Sequence, residues 1–360
     1  MNRETIKITN SSNEELDVVI EGNLDANIAI VFAHGMGSNK DENFNLLLDI
    51  AGGLADEFRI FRFDFSGYGK SGGNEEDMCL SKMADDLSCV INHANDTHQK
   101  VFLLAHSLGV YATLQLQPKD VEKIVFTSPP SMDFVSRLQK KITEKGGALN
   151  KNKISLYPRT SGETQKLGPK FWQEVDLFSF SKKIKRQAVS SKIAIFDPLG
   201  DHPMNDDLIS FCQRLGIDHY QMEGDHNFIN PQDRGVLIKE INNFFKKTRT
   251  IFIAHPVSGD VENNIQKIIT ICSNIHSAKI IPVFPSLLSR NYLSESEEDR
   301  IIKKNTIEEY FKRGFIDEIW YYNDSLSSGM KNEVDLGLKY GVPNIGKSEK
   351  MQEELFDYIK

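Results

Sequence analysis

Short, almost uninterrupted apolar runs punctuate the chain: IAIVFAH at 28–34, FRIFRFDF at 58–65, KVFLLAH at 100–106, EKIVFTS at 122–128 and KIAIFDP at 192–198. Amphipathic stretches separate them. Runs of this length between helical segments predict a parallel sheet with helices on both faces. A basic segment, KKTRT (246–250), follows the amphipathic stretch that ends at Ile241 to Phe245, and the rhythm then restarts. TIFIAHP (250–256), AKIIPVFP (278–285), DEIWYYN (317–323) and VPNI (342–345) read as its strands. The pattern predicts two α/β domains, 1–247 and 248–360, which do not repeat one another. Between about 130 and 190 the rhythm lapses into sequence rich in Pro, Gly, Lys and Ser, as expected of an inserted cap.

The length of 360 residues agrees with about two domains. Hydrophobic residues make up 39% and charged residues 26%, which excludes a disordered or low-complexity chain. The net charge of -8 disfavours non-specific attraction to nucleic acid or an anionic membrane. The amino-terminal segment is polar, and no run of 18 apolar residues occurs, so the expectation is a cytoplasmic protein. Cys79, Cys89, Cys212 and Cys272 are scattered without a CxxC pair, and the nine histidines have no ligand spacing, so neither a metal nor a cofactor is expected.

Chemistry enters with Ser107, in Ala105-His106-Ser107-Leu108-Gly109, after an apolar strand and before a predicted helix. That context suits a nucleophile elbow, whose tight turn demands small residues two positions to either side. Ala105 and Gly109 meet the demand. A serine nucleophile needs a base and an orienting acid, in the chain order Ser, Asp, His. His226 lies before the last helix of the first domain, and Asp201 just past the strand KIAIFDP; Asp197 is the second choice of acid. His34-Gly35-Met36-Gly37 follows the first strong strand, so the N–H groups of Met36 and Leu108 are the expected oxyanion donors. Phe134, Tyr157, Phe171 and Trp172 are aromatic candidates either to line the pocket or to pack the cap.

These residues resemble the α/β-hydrolase superfamily over residues 1 to about 247. HGMGSNKDEN (34–43), FRFDFSGYGKSGG (61–73) with Asp64, Gly67, Gly69 and Ser71, and the short cap are most similar to cinnamoyl and feruloyl esterases. The resemblance implies a serine acyl hydrolase acting on a small ester, thioester or amide. Ala105 stands where that family commonly has glycine.

In the second domain, a small-residue turn follows the first strand, and Ser328-Gly329 opens a helix after DEIWYYN. Turns at the carboxyl ends of such strands and free N–H groups at helix starts favour anions and nucleotides. IFIAHPVSGDVENNIQKI with SSGMKNEVDLGLKYGVPNI resembles the nucleoside 2-deoxyribosyltransferase-like superfamily, which implies a smaller, flavodoxin-like open parallel sheet. That resemblance implies Glu333 as nucleophile, Asp317 as a further acidic residue, Ser328 and Gly329 as the phosphate or sugar turn, and Ala254, His255, Pro256, Ser258 and Gly259 as the nucleotide loop. Three readings follow: acyl hydrolysis at Ser107 as the main function; N-glycosidase or deoxyribosyltransferase activity in the second domain as the main function; or a second domain that senses a nucleoside or nucleotide and regulates the esterase. The oligomeric state, the acyl group and the leaving group stay open.

Overall fold

The computed structural model describes residues 3–159, 162–257, 259–277, 280–285, 287, 292–294 and 296–359. Ser258 therefore lies outside the described residues. The chain forms two compact units, one of Met1–Ile209 with Ile217–Phe245, the other of Ser210–Gly216 with Lys246–Lys360.

The first unit runs β1 (Arg3–Thr9), β2 (Glu15–Gly22), β3 (Ile28–Ala33), α1 (Leu46–Leu54), β4 (Arg59–Phe63), α2 (Leu80–Thr97), β5 (Lys100–His106), α3 (Leu108–Leu116) and β6 (Val121–Thr127). The intervening segment holds α4 (Phe134–Glu144), the hairpin β7 (Ser155–Pro158) and β8 (Thr164–Leu167), α5 (Pro169–Asp176) and α6 (Phe180–Ser190). β9 (Lys192–Pro198), α7 (Asp206–Arg214), whose part from Ser210 onward belongs to the second unit, β10 (Asp218–Met222) and α8 (Pro231–Lys246) follow. The eight-stranded sheet has the order β1-β2-β4-β3-β5-β6-β9-β10. It is mixed rather than parallel: β2 runs antiparallel to both β1 and β4.

The expected strands omit β1, β2 and β10, for a physical reason. β2 reads ELDVVIEG, and its acids disguise a strand that is buried along nearly its whole length. Asp17 is buried because Lys40 reaches it at 2.8 Å, and Glu21 because Arg62 does so at 2.6 Å. Buried charges of this kind are tolerated only as pairs. The loop motif of Asp64, Gly69 and Ser71 is similarly structural. Asp64 accepts from the Lys40 backbone N–H at 2.7 Å, the Lys40 ammonium at 2.6 Å and the Lys70 N–H at 2.8 Å. A Cβ at Gly69 would collide with that carboxylate.

β3, β5, β6 and β9 are buried almost throughout, as strands covered on both faces must be. Helices α1 and α8 close one face, with Phe102 stacked on Phe245 at 5.4 Å. The fully buried Lys123 ammonium donates to the carbonyls of Phe244 and Phe245 at 2.9 and 3.0 Å, capping the end of α8 where the helix dipole favours a cation.

The second unit contains β11 (Arg249–Ala254), α9 (Val261–Ile275), β12 (Ile280–Val283), α10 (Glu297–Lys312), β13 (Glu318–Tyr321), α11 (Ser328–Tyr340), β14 (Asn344–Gly346) and α12 (Glu349–Ile359). Its four strands are parallel, in the order β12-β11-β13-β14. In such a sheet the crevice for ligands lies at the carboxyl ends of β11 and β13, where the order reverses.

Candidate active site

Ser107 sits between β5 and α3 at φ 52°, ψ −122°, a strained turn that lifts its side chain clear of the strand. Its N–H donates to the Thr127 carbonyl at 3.0 Å, which ties the turn to the end of β6. A Cβ at position 109 would collide with the Ala33 and His34 carbonyls, so only glycine lets α3 approach β3 this closely. Ala105 is buried without conflict, and the elbow forms with alanine there.

The Ser107 Oγ lies 3.0 Å from His226 Nε2, and His226 Nδ1 lies 2.5 Å from Asp201 Oδ2. With the carboxylate on Nδ1, that nitrogen carries the proton and Nε2 faces the serine as acceptor. Burial by itself raises the Asp201 carboxyl, but the hydrogen bond to His226 and the charges of His226, His202 and Arg137 outweigh it and hold the group below its ordinary value. Asp197 is turned elsewhere, accepting from the Met204 N–H at 2.8 Å and facing His219 at 3.3 Å.

Three loops must converge for this geometry, and each is pinned. The Gly200 N–H donates to the Gly224 carbonyl at 2.9 Å, joining the acid loop to the histidine loop. Ser128 donates its hydroxyl to the His226 carbonyl at 2.9 Å. Arg234, buried on α8, donates to the carbonyls of Asn227, Phe228 and Phe44 at 3.0, 2.8 and 2.9 Å. Sequence reasoning passed over Arg234 because nothing marks a helical arginine as the clamp of a distant loop.

The turn after β3 carries Met36. Among the described residues neither the Met36 nor the Leu108 N–H donates to another protein group, and Leu108 opens α3, where amides lack helical partners. Both are available to a developing oxyanion. The turn is held by Glu42, a buried carboxylate that accepts from the Gly35 N–H at 2.6 Å and the Asn43 N–H at 3.0 Å. Burial works to raise the Glu42 carboxyl, but His106, His34 and its hydrogen bonds prevail and keep it lowered. His34 accepts from the Phe65 N–H at 3.0 Å and so must donate through Nδ1 to the Gly35 carbonyl at 2.8 Å. His106, buried beside Ser107, is pushed down to about 4, chiefly by burial, and is neutral at physiological pH.

A cavity of about 280 Å³ opens over these groups. Phe134 and Tyr157 line it, together with Met36, Arg137, Lys141 and Arg159. Phe171 and Trp172 are instead fully buried in the cap, with the Trp172 indole donating to Ser155 at 3.0 Å.

In the second unit Ser328 and Gly329 occupy the first turn of α11, capped by Ser327, whose hydroxyl accepts from the Met330 N–H at 3.3 Å. Glu333 lies one turn further on. Among the described residues its buried Oε2 has no hydrogen-bond partner, and burial pushes the carboxyl up to about 8. Gly329 and Glu333 line a groove of about 490 Å³ between α10 and α11, beside Arg300, Lys303, Lys304 and Lys339. The described residues of the turn 254–259 do not line it. Ala254 is buried, His255 Nδ1 lies 2.8 Å from the Pro256 carbonyl, and Gly259 takes φ +89°. Asp317 is not brought to this group. It precedes β13, accepts from the Thr250 N–H at 2.8 Å and pairs with Lys247 at 3.0 Å, at the amino end of parallel strands whose carboxyl ends lead to His255 and α11. The strand length itself, at about 3.3 Å per residue, separates the two ends.

Residues 28–147 match the family described as alpha/beta hydrolase fold, and residues 249–345 match a domain of unknown function, DUF7768. No curated protein matches the chain. Among solved structures it is similar to the esterase Est1E from Butyrivibrio proteoclasticus with ferulic acid bound, at 14% identity and a TM-score of 0.54 over 67% of this chain and 97% of that one. It is also similar to the esterase domain of a Rhodothermus marinus protein, at 16% identity and a TM-score of 0.52 over 68% and 98%. A Pyrococcus furiosus esterase gives 15% identity and a TM-score of 0.51 over 68% and 90%. The first unit has the α/β-hydrolase fold. Among the described residues no helix is long and apolar enough to cross a membrane.

Proposed function

We propose that the first unit is a serine acyl hydrolase of the carboxylesterase or thioesterase type. The observation that carries this reading is the chain of contacts from Ser107 Oγ to His226 Nε2 at 3.0 Å and from His226 Nδ1 to Asp201 at 2.5 Å, built on a strained elbow. In this reading Ser107 Oγ attacks the acyl carbon while His226 Nε2 takes its proton. The carbonyl oxygen becomes an oxyanion held by the Met36 and Leu108 N–H groups. The bond to the leaving group then breaks, and His226 returns the proton to it. Water, deprotonated by His226, attacks the acyl-serine ester, the serine leaves with the proton, and the carboxylic acid departs. Asp201 keeps the proton of the imidazole on Nδ1 and stabilises the imidazolium. The four free cysteines accord with a reducing, cytoplasmic setting. Labelling with a fluorophosphonate, followed by a chain-length series of 4-nitrophenyl esters, tests the assignment. An unlabelled Ser107 with no ester turnover would sink it.

For the second unit we propose a nucleoside- or nucleotide-binding role, as a sensor rather than a transferase. The supporting observation is the Glu333 oxygen, partnerless among the described residues, in a groove that Arg300, Lys303 and Lys304 line together with Asp335 and the pair of Lys339 with Glu308. Burial pushes the Glu333 carboxyl up to about 8, which favours the protonated form here, whereas a nucleophile must be the carboxylate. Calorimetry of the full chain with nucleosides and 5′-monophosphates, alongside chromatography for released base, separates the roles. Binding without release is the sensor's result, release is the transferase's, and no binding at millimolar concentration removes both.

A further inference from the structure

The cap over Ser107 differs in charge from the rest of the chain. Between residues 131 and 190 stand 13 Lys and Arg against 5 Asp and Glu, in a protein whose net charge is -8. Part of that excess points into the site, since Arg137, Lys141 and Arg159 all line the cavity over the serine. Among its described lining residues Asp201 is the single acid, and His226 already occupies its carboxylate.

Arg159 is the best built of the three. It follows β7, and its N–H donates to the Glu163 carbonyl at 2.8 Å, closing the hairpin. The guanidinium reaches from the cap to the oxyanion turn and donates through Nη2 to the Met36 carbonyl at 2.7 Å. It fits there because position 37 is glycine: φ is +63°, and a Cβ would collide with the guanidinium. The half-buried Arg159 makes no ion pair among the described residues; the acid its charge acts on, Glu75, accepts from the Lys166 N–H at 3.0 Å and does not line the cavity, so within the cavity the guanidinium has no carboxylate paired to it. Arg137 is already shared, with Asp133 at 3.1 Å, while Lys141 is exposed.

Resting on the acyl-hydrolase reading, we infer that the substrate carries an anionic group, a carboxylate or a phosphate, near its scissile ester, and that Arg159 is the residue that selects it. A guanidinium edge matches the paired oxygens of either group. A cavity of about 280 Å³ suits a small substrate, so the anion and the scissile carbonyl must be close together. Asp201 and Glu42 stay near the site as fixed negative charges, but each is spent on an internal hydrogen bond.

Matched ester sets test this with the full-length protein. On the acyl side, 4-nitrophenyl pentanoate is compared with mono-4-nitrophenyl glutarate. On the alcohol side, the acetyl esters of 4-hydroxybenzamide, 4-hydroxybenzoate and 4-hydroxyphenyl phosphate separate neutral, carboxylate and phosphate recognition. The expected result is that an anionic member of at least one set exceeds its neutral partner in kcat/KM by about tenfold, the worth of one charge-assisted hydrogen bond. Arg159→Gln then lowers kcat/KM for the anionic ester about tenfold more than for the neutral one, mainly through KM, and Arg159→Lys restores part of the preference. A purely structural Arg159 would slow both members alike, which would overturn the assignment. Turnover of neutral esters and labelling of Ser107, with no anionic preference in any set, would overturn this inference and leave the hydrolase reading standing. No labelling and no turnover of any ester would remove both.

Discussion

The candidate sites of the two units differ in how their polar groups are satisfied. Around Ser107 hydrogen bonds close on one another: Asp201 on His226, His226 on Ser107, Ser128 and Arg234 on the histidine loop, and Glu42 on the oxyanion turn. Around Glu333 they do not. One carboxylate oxygen has no partner among the described residues, His255 lies against its own chain, and Asp317 serves the opposite end of the strands. Both regions carry recognisable short motifs, but only the first assembles them into a set whose members hold one another at reacting distance. Convergence from separate loops is what the first candidate site has and the second lacks.

The most severe test of that contrast is Ser107→Ala, which should lower kcat by about 10⁶ without unfolding the protein, since the side chain is half-buried and opens on the cavity. Turnover of 4-nitrophenyl acetate at the parental rate would break the comparison at its root. Asp201→Asn comes next, with an expected loss of about 10⁴ from the wrong imidazole tautomer, whereas Asp197→Asn should cost far less because its carboxylate faces Met204 and His219. Equal losses in steady-state assays would mean that the acid is misassigned. Because the Asp201 carboxyl is held below its ordinary value, its ionised form persists to lower pH than a free aspartate, and the stability it contributes is lost only as pH falls through that lowered value.

Glu42→Gln should reduce kcat by about tenfold with little change in KM, less than the loss of an oxyanion donor outright, because an amide oxygen holds the Gly35 N–H more weakly. A change in KM alone would assign Glu42 to substrate binding instead. The smallest expected effect belongs to Glu333. Its folded value of about 8 exceeds that of an unfolded glutamate, so the folded state retains the proton over the range where the unfolded chain has released it. Stability therefore falls as pH rises from the ordinary carboxylate range to about 8, then levels off. Calorimetric scans at pH 5.5 and 8.5 should show Glu333→Gln gaining on the parent by a few degrees at the higher pH only. A pH-independent difference would show that the buried acid carries no such strain.

Much of the first unit is legible in the chain because its strands are covered on both faces and so read as near-continuous apolar runs. Its edges are not, since β1 alternates and β10 is polar, as strands with little covering are. Ser107, Asp201 and His226 could be named from local context, because an elbow needs small neighbours, Asp201 follows an apolar strand and His226 precedes the last helix of the first domain. Arg159, Arg234 and Glu42 could not. Their roles depend on which distant carbonyl or N–H lies within about 3 Å, a property of no segment taken alone.

Sequence by itself determined the two α/β rhythms, the elbow, the order of the three candidate catalytic residues and the basic excess of the cap, all of which follow from residue size, polarity and spacing along one strand or turn. Tertiary structure alone decided that β2 buries its acids against Lys40 and Arg62, that Asp317 lies at the far end from Glu333, and that Gly37 makes room for Arg159. The reason is common to all three. Chain-local chemistry sets what a segment prefers, but an ion pair or hydrogen bond exists only where folding brings two remote groups within reach and removes the water that would otherwise satisfy them.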